Sequence, residues 1–135
     1  MAEALFVKLL KDIGKDQGYS VTSSGLAALE GMPAAENAQK VLQKKYGIDL
    51  SSHRAKLFSE ELLAADLILT MTKLHKDHIL NFYPRSKGNV YTLGEFLGED
   101  MDIADPYGGN EEVYEEVAKI LEEKLKEVIT RLEKN

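Results

Sequence analysis

Leu67-Ile68-Leu69-Thr70-Met71 decides the fold of this chain. A run so evenly apolar cannot present one wet and one dry face, so as a strand it must be covered on both sides. Helical patterns flank it. Residues 34–46 place Ala38, Val41 and Leu42 on one face and stop at Gly47, and residues 72–82 follow the strand as a second helix. A shorter apolar run at 89–93 reads as another buried strand, and 19–23 as a third. Before that, residues 1–17 carry Leu5, Phe6, Leu9, Leu10 and Ile13 at helical spacing, with Gly18 as the stop. The last helix, 111–133, is the most periodic: Val113, Val117, Leu121, Leu125, Val128 and Leu132 face inward, and Glu115/Lys119, Glu122/Lys126 and Glu127/Arg131 pair on the wet side. Strands alternating with helices predict an α/β fold, a parallel sheet with helices on both faces.

The chain has 135 residues, the length of one domain around a single core, and no repeat or linker divides 1–135. A net charge of -6 argues against nucleic acid or an anionic membrane as partner, since both need a basic face. No apolar run nears the roughly 18 residues of a membrane span, and no signal segment is present, so a cytoplasmic protein is expected. With no cysteine, the chain can form neither disulfides nor thiolate metal sites, and it has no thiol chemistry of its own. His75 and His78, with Asp77 beside them, have a spacing that can chelate, but no further ligand is evident. A solvated helix face is the better reading, and neither metal nor cofactor is expected.

Asp105-Pro106-Tyr107-Gly108-Gly109 stands just before the last helix. Alone, Asp-Pro is a common turn starter. Together with Met1-Ala2-Glu3-Ala4-Leu5-Phe6 at the start of the first helix, and with the missing cysteine, it resembles the low-molecular-weight protein tyrosine phosphatase family. Members of that family run from a strand through a C-x-x-x-x-x-R-[ST]-P loop into a helix that begins M-A-E-A-hydrophobic. Asp-Pro-aromatic-Gly-Gly, Thr72 after Met71, and Thr92-Leu93-Gly94-Glu95-Phe96 are most similar to the bacterial branch that includes protein-arginine phosphatases.

The resemblance implies a three-layer α/β/α sheet and hydrolysis of phosphotyrosine or phosphoarginine on proteins through a cysteinyl-phosphate. Asp105 would protonate the leaving group in the first step and activate water in the second. Tyr107 would line the pocket mouth, where its ring packs on a flat group, although a Tyr tied by its hydroxyl is equally compatible. Leu29 would stand on the other wall, where phosphotyrosine-preferring members often carry an aromatic. Ser23, in Val21-Thr22-Ser23-Ser24-Gly25, and His53, in Ser52-His53-Arg54-Ala55, would brace the phosphate loop; the plain alternative is a strand-end serine and a turn-capping histidine.

By the same resemblance the chain begins one residue after that loop. The nucleophile, the phosphate-binding arginine and the first, central strand of the sheet would then precede Met1, leaving a slot between 19–23 and 67–71. Hence the chain as it stands is expected to be inactive. The slot is expected to stay open or to be filled by another segment or chain, which invites strand-swapped or edge-mediated self-association. The alternative is a pseudophosphatase, a non-catalytic binding module that uses the surface around Asp105.

Overall fold

Ile68–Thr70 forms strand β1 and pairs in parallel with β2, Val90–Thr92, in the register Ile68 to Val90 and Thr70 to Thr92. The computed structural model describes residues 1–26, 30–84 and 88–134. Around the two strands stand α1 (Ala2–Asp12), α2 (Glu36–Tyr46), α3 (Lys73–Phe82), α4 (Leu93–Phe96) and α5 (Glu111–Glu133), with single 3-10 turns at Asp16–Gly18 and Glu60–Ala64. Because strand side chains alternate, Ile68 and its partner Val90 share one face, where they pack with Phe58 and with Ile79 of α3. Leu69 points the other way, into a larger cluster with Leu5 and Leu10 of α1, Val41 and Leu42 of α2, and Leu121 and Val128 of α5. The result is the predicted α/β architecture: α3 on one side of a parallel sheet, and α1, α2 and α5 on the other.

The long helix α5 buries Tyr114, Ala118, Leu121, Leu125, Val128 and Ile129. Each fully buried Leu or Val contributes about 1.5 to 3 kcal/mol, which makes this helix the main wall of the core. Its first turn departs from the predicted stripe: Tyr114 is inside, whereas Val113 is 40% exposed. Residues spaced strictly four apart drift by about 40° per step on a helix of 3.6 residues per turn, so Val113 is rotated about 80° from Leu121 and Tyr114 only about 20°. The wet side also differs from the expected local pairs, since Glu115 reaches Lys45 of α2 at 3.2 Å and Lys124 reaches Glu99 at 2.8 Å.

Two other expectations need correction. Helix α1 ends at Asp12, because Gly14 rather than Gly18 supplies the left-handed turn (φ 70°), and Lys15 N–H closes onto the Leu10 carbonyl at 2.9 Å. Residues 19–23 form no strand. Tyr19 has extended backbone (φ -132°, ψ 142°), but among the described residues the sheet contains only β1 and β2. A strand exists only where a neighbour takes its N–H and C=O groups, and this segment meets one first at Gly25, bridged in parallel to Leu57. Its fixed point is instead a side chain. The Tyr19 hydroxyl donates to Glu133 of α5, and the Tyr19 ring meets Phe6 edge-on at 6.3 Å.

The end of β2 holds a signal that the apolar run concealed. Thr92-x-x-Glu95 is a complete capping box: Glu95 N–H donates to Thr92 Oγ1 and Thr92 N–H to Glu95 Oε1, both at 2.9 Å, so the chain turns into α4 at Leu93 instead of continuing as strand. Gly94 lets that turn seat. A Cβ there would lie 2.6 Å from the Met101 carbonyl oxygen and 2.8 Å from that of Glu99.

Candidate active site

The loop after α4 is anchored at the C-terminal end of β1, where Ile103 N–H donates to the Met71 carbonyl at 2.9 Å. Open α/β sheets bind ligands outside this end of their strands. From there the loop organises itself. Asp105 Oδ1 accepts from Tyr107 N–H at 3.0 Å, and the Pro106 carbonyl accepts from Gly109 N–H at 2.8 Å. Gly108 sits at φ 84°, a conformation glycine alone adopts without strain. Gly109 is required for space: a Cβ would stand 2.9 Å from the Pro106 oxygen and 3.0 Å from the Val113 side chain. Asn110 then caps α5 by accepting from Val113 N–H at 3.1 Å, and Glu111 and Glu112 favour the positive end of the helix.

One contact from outside completes the loop: Asn37 Nδ2 on α2 donates to the Gly109 carbonyl at 3.0 Å. Asp105 is exposed at the rim, and beside it Tyr107 is 82% exposed, with its ring free to meet a ligand. In the first turn of α5 the Tyr114 phenol is pushed above its ordinary value by burial first and then by the Asp105 carboxylate.

Met1 stands at the start of α1. No side chain caps this helix, and the positive end of a helix dipole favours an anion. The Met1 amino group is held below the usual amine range by burial, against the opposing fields of Glu3 and Asp105. Glu3 continues the chain of contacts by accepting from the Ser23 hydroxyl at 2.8 Å. Ser23 and His53 both line a cleft of about 760 Å³ between α1 and residues 46–56. His53 N–H donates to the Leu50 carbonyl at 3.0 Å, as a turn residue would.

The structure therefore joins Ser23 to Glu3 of α1 by a hydrogen bond and sets Ser23 and His53 on one cleft, while Asp105 belongs to the loop before α5. Leu29 lies outside the described residues. Glu3 was legible as part of the opening hexapeptide but not as the partner of Ser23, and Asn37 carries no local signal at all. On α3, His78 stacks on Phe82 at 4.4 Å. Chemically, Asp105 offers a carboxylate able to carry a proton, and the 135 residues include no cysteine.

Comparison with known proteins places this geometry. The family model described as low molecular weight phosphotyrosine protein phosphatase matches residues 1–135. A protein-arginine-phosphatase of Bacillus subtilis is 35% identical over 138 aligned residues, covering 100% of this chain and 89% of the relative. The low molecular weight protein-tyrosine-phosphatase PtpB of Staphylococcus epidermidis is 42% identical over 97 residues, 72% of this chain and 68% of its own. Among solved structures, the low molecular weight protein tyrosine phosphatase from T. tengcongensis superposes with a TM-score of 0.90 at 41% identity, over 96% of this chain and 88% of that one. Among the described residues, no helix is long and apolar enough to cross a membrane.

Proposed function

The chain belongs to the low molecular weight phosphotyrosine protein phosphatase family, and from that membership we propose that it carries the acid and the pocket rim of a cytoplasmic protein phosphatase. The substrate is a phosphorylated protein side chain with a planar leaving group, the phenol of phosphotyrosine or the guanidinium of phosphoarginine. The observation that supports this reading is the self-organised loop at the C-terminal end of β1, which holds Asp105 exposed beside Tyr107. In the reaction a thiolate attacks phosphorus and the bond to the leaving group breaks while Asp105 delivers a proton to it. Water then attacks the thiophosphate, giving its proton to Asp105 and releasing phosphate. Tyr107 packs on the planar group. Ser23, oriented by Glu3, and His53 brace whatever loop cradles the phosphate.

That thiolate, and the guanidinium that neutralises the phosphoryl oxygens, must come from a C-x-x-x-x-x-R-[ST]-P segment. Phosphoryl transfer rests on positioning and charge stabilisation, which a lone carboxylate does not replace. The 135-residue chain should therefore leave para-nitrophenyl phosphate untouched. The same chain joined at Met1 to an apolar strand and such a loop should hydrolyse it. Turnover by the cysteine-free chain that depends on Asp105 would refute the first statement. A joined chain that folds yet stays inert would favour the pseudophosphatase reading. Phosphotyrosine and phosphoarginine peptides compared on the joined chain then assign the leaving group.

A further inference from the structure

We propose that the cleft between α1 and residues 46–56 is a docking groove for an acidic segment of the protein substrate. The proposal deepens the phosphatase reading and rests on it: Ser23 and His53 are among the residues that line the cleft, together with residues of α1. The lining includes the apolar side chains of Val7, Val21 and Ile48. Its charged residues are mostly basic: Lys8 and Lys11 of α1, Arg54 and Lys56, against Glu3 and Asp49. That leaves an excess of positive charge in a chain whose net charge is -6.

Both acids have hydrogen-bond donors of their own, Glu3 the Ser23 hydroxyl at 2.8 Å and Asp49 the Ser51 N–H at 2.8 Å, which orient the carboxylates and leave their charge, so the four cations outnumber them two to one. The Arg54 guanidinium is fixed by the carbonyls of Ser51 (2.9 Å) and His53 (2.8 Å), which orient it without cancelling its charge. Lys8 is shared with Asp12 at 3.0 Å on the exposed side, an exchangeable surface pair. A lining with an excess of one sign of charge concentrates the opposite sign. Nucleic acid is the poorer fit, since it needs a long basic track on a surface that is here acidic overall. A short acidic stretch of polypeptide needs only the few cations present, and Lys11 and Lys56 are the exposed pair that would grip it.

The test reads binding on the 135-residue chain with a fluorescein-labelled, unphosphorylated peptide of alternating Glu and Ser, by anisotropy at low salt, so catalysis plays no part. Lys11→Glu with Lys56→Glu should weaken binding about ten-fold or more, about 1.4 kcal/mol. The neutral pair Lys11→Gln with Lys56→Gln should fall between, and keeps the test sound if charge reversal disturbs folding. Lys119→Glu with Lys126→Glu, an equal change of net charge on exposed positions of α5, should cost less than about two-fold by long-range field alone. Equal losses in the two reversed pairs, tighter binding of a single-stranded oligonucleotide than of the peptide, or no peptide binding would each overturn the groove. None of these outcomes touches the phosphatase reading, which the joined-chain assay decides separately.

Discussion

The loop before α5 and the segment after α1 are built in opposite ways. The loop from Ile103 to Asn110 closes almost entirely on itself: a side chain on the next backbone, a tight turn, two glycines with distinct duties, a helix cap, and one clamp from Asn37. Residues 19–23 start extended at Tyr19 but have no ladder among the described residues, tied at one end by Tyr19 to Glu133 and further on by Ser23 to Glu3. Local chemistry suffices for the first. The second lacks a neighbour, and a strand is a relation between segments. The candidate acid is thus preorganised, whereas residues 19–23 depend on what lies alongside.

The largest effect should come from the loop. In the joined, active chain, Asp105→Asn should lower kcat by about 10²- to 10⁴-fold for poor leaving groups, while Ser23→Ala, in the unpaired stretch, should cost only about ten-fold. Equal losses from the two in steady-state kinetics would erase the contrast. Next comes Gly109→Ala, which forces a Cβ against the Pro106 oxygen and the Val113 side chain. Overpacking of this kind costs about 1 to 3 kcal/mol, and urea denaturation should report it.

Asn37→Ala removes one buried-side clamp and should cost about 0.5 to 1.5 kcal/mol, with a larger proportional fall in kcat of the joined chain than in stability. A stability loss with kcat intact would mean that the loop needs no outside support. The smallest effect belongs to the Tyr19 pin. The Glu133 carboxyl is held below its ordinary value chiefly by the Tyr19 hydroxyl and further by Lys15, and burial opposes the shift. Its contribution is therefore complete above the unfolded value of about 4.3 and is lost as pH falls through the lower folded value. The Tyr19 phenol is shifted up by the same bond, so the pin also fails as pH rises past about 10. Thermal melts of Glu133→Gln should sit slightly below the parent between pH 5 and 8, and the offset should shrink as pH falls below the ordinary carboxylate value of about 4.3; an offset that stays constant down to full protonation would locate the effect elsewhere.

What could be read from the residues follows the same division. The β1 run, the α5 periodicity and the Asp-Pro-Tyr-Gly-Gly loop were legible because each is decided within a few turns of chain. The stop of α1 was misread because two glycines compete and only backbone handedness separates them, at Gly14. The α5 stripe slipped at Val113 because a four-residue rhythm outruns the helix. Thr92 and Glu95 spelled a capping box inside an apolar run that reads as strand. Asn37 and the Glu3 to Ser23 bond were beyond reach, since partners 72 and 20 residues away leave no trace in spacing.

The paired glycines of the acid loop carry one more consequence. Gly108 is demanded by handedness and Gly109 by the absence of a methyl-sized gap, and neither demand refers to a substrate, a thiol or a phosphate. Selection on folding alone would preserve them. The Gly-Gly half of Asp-Pro-aromatic-Gly-Gly is therefore a signature of shape: a descendant that had surrendered its chemistry would display it as faithfully as an active enzyme, and a survey that counts those glycines is counting scaffolds.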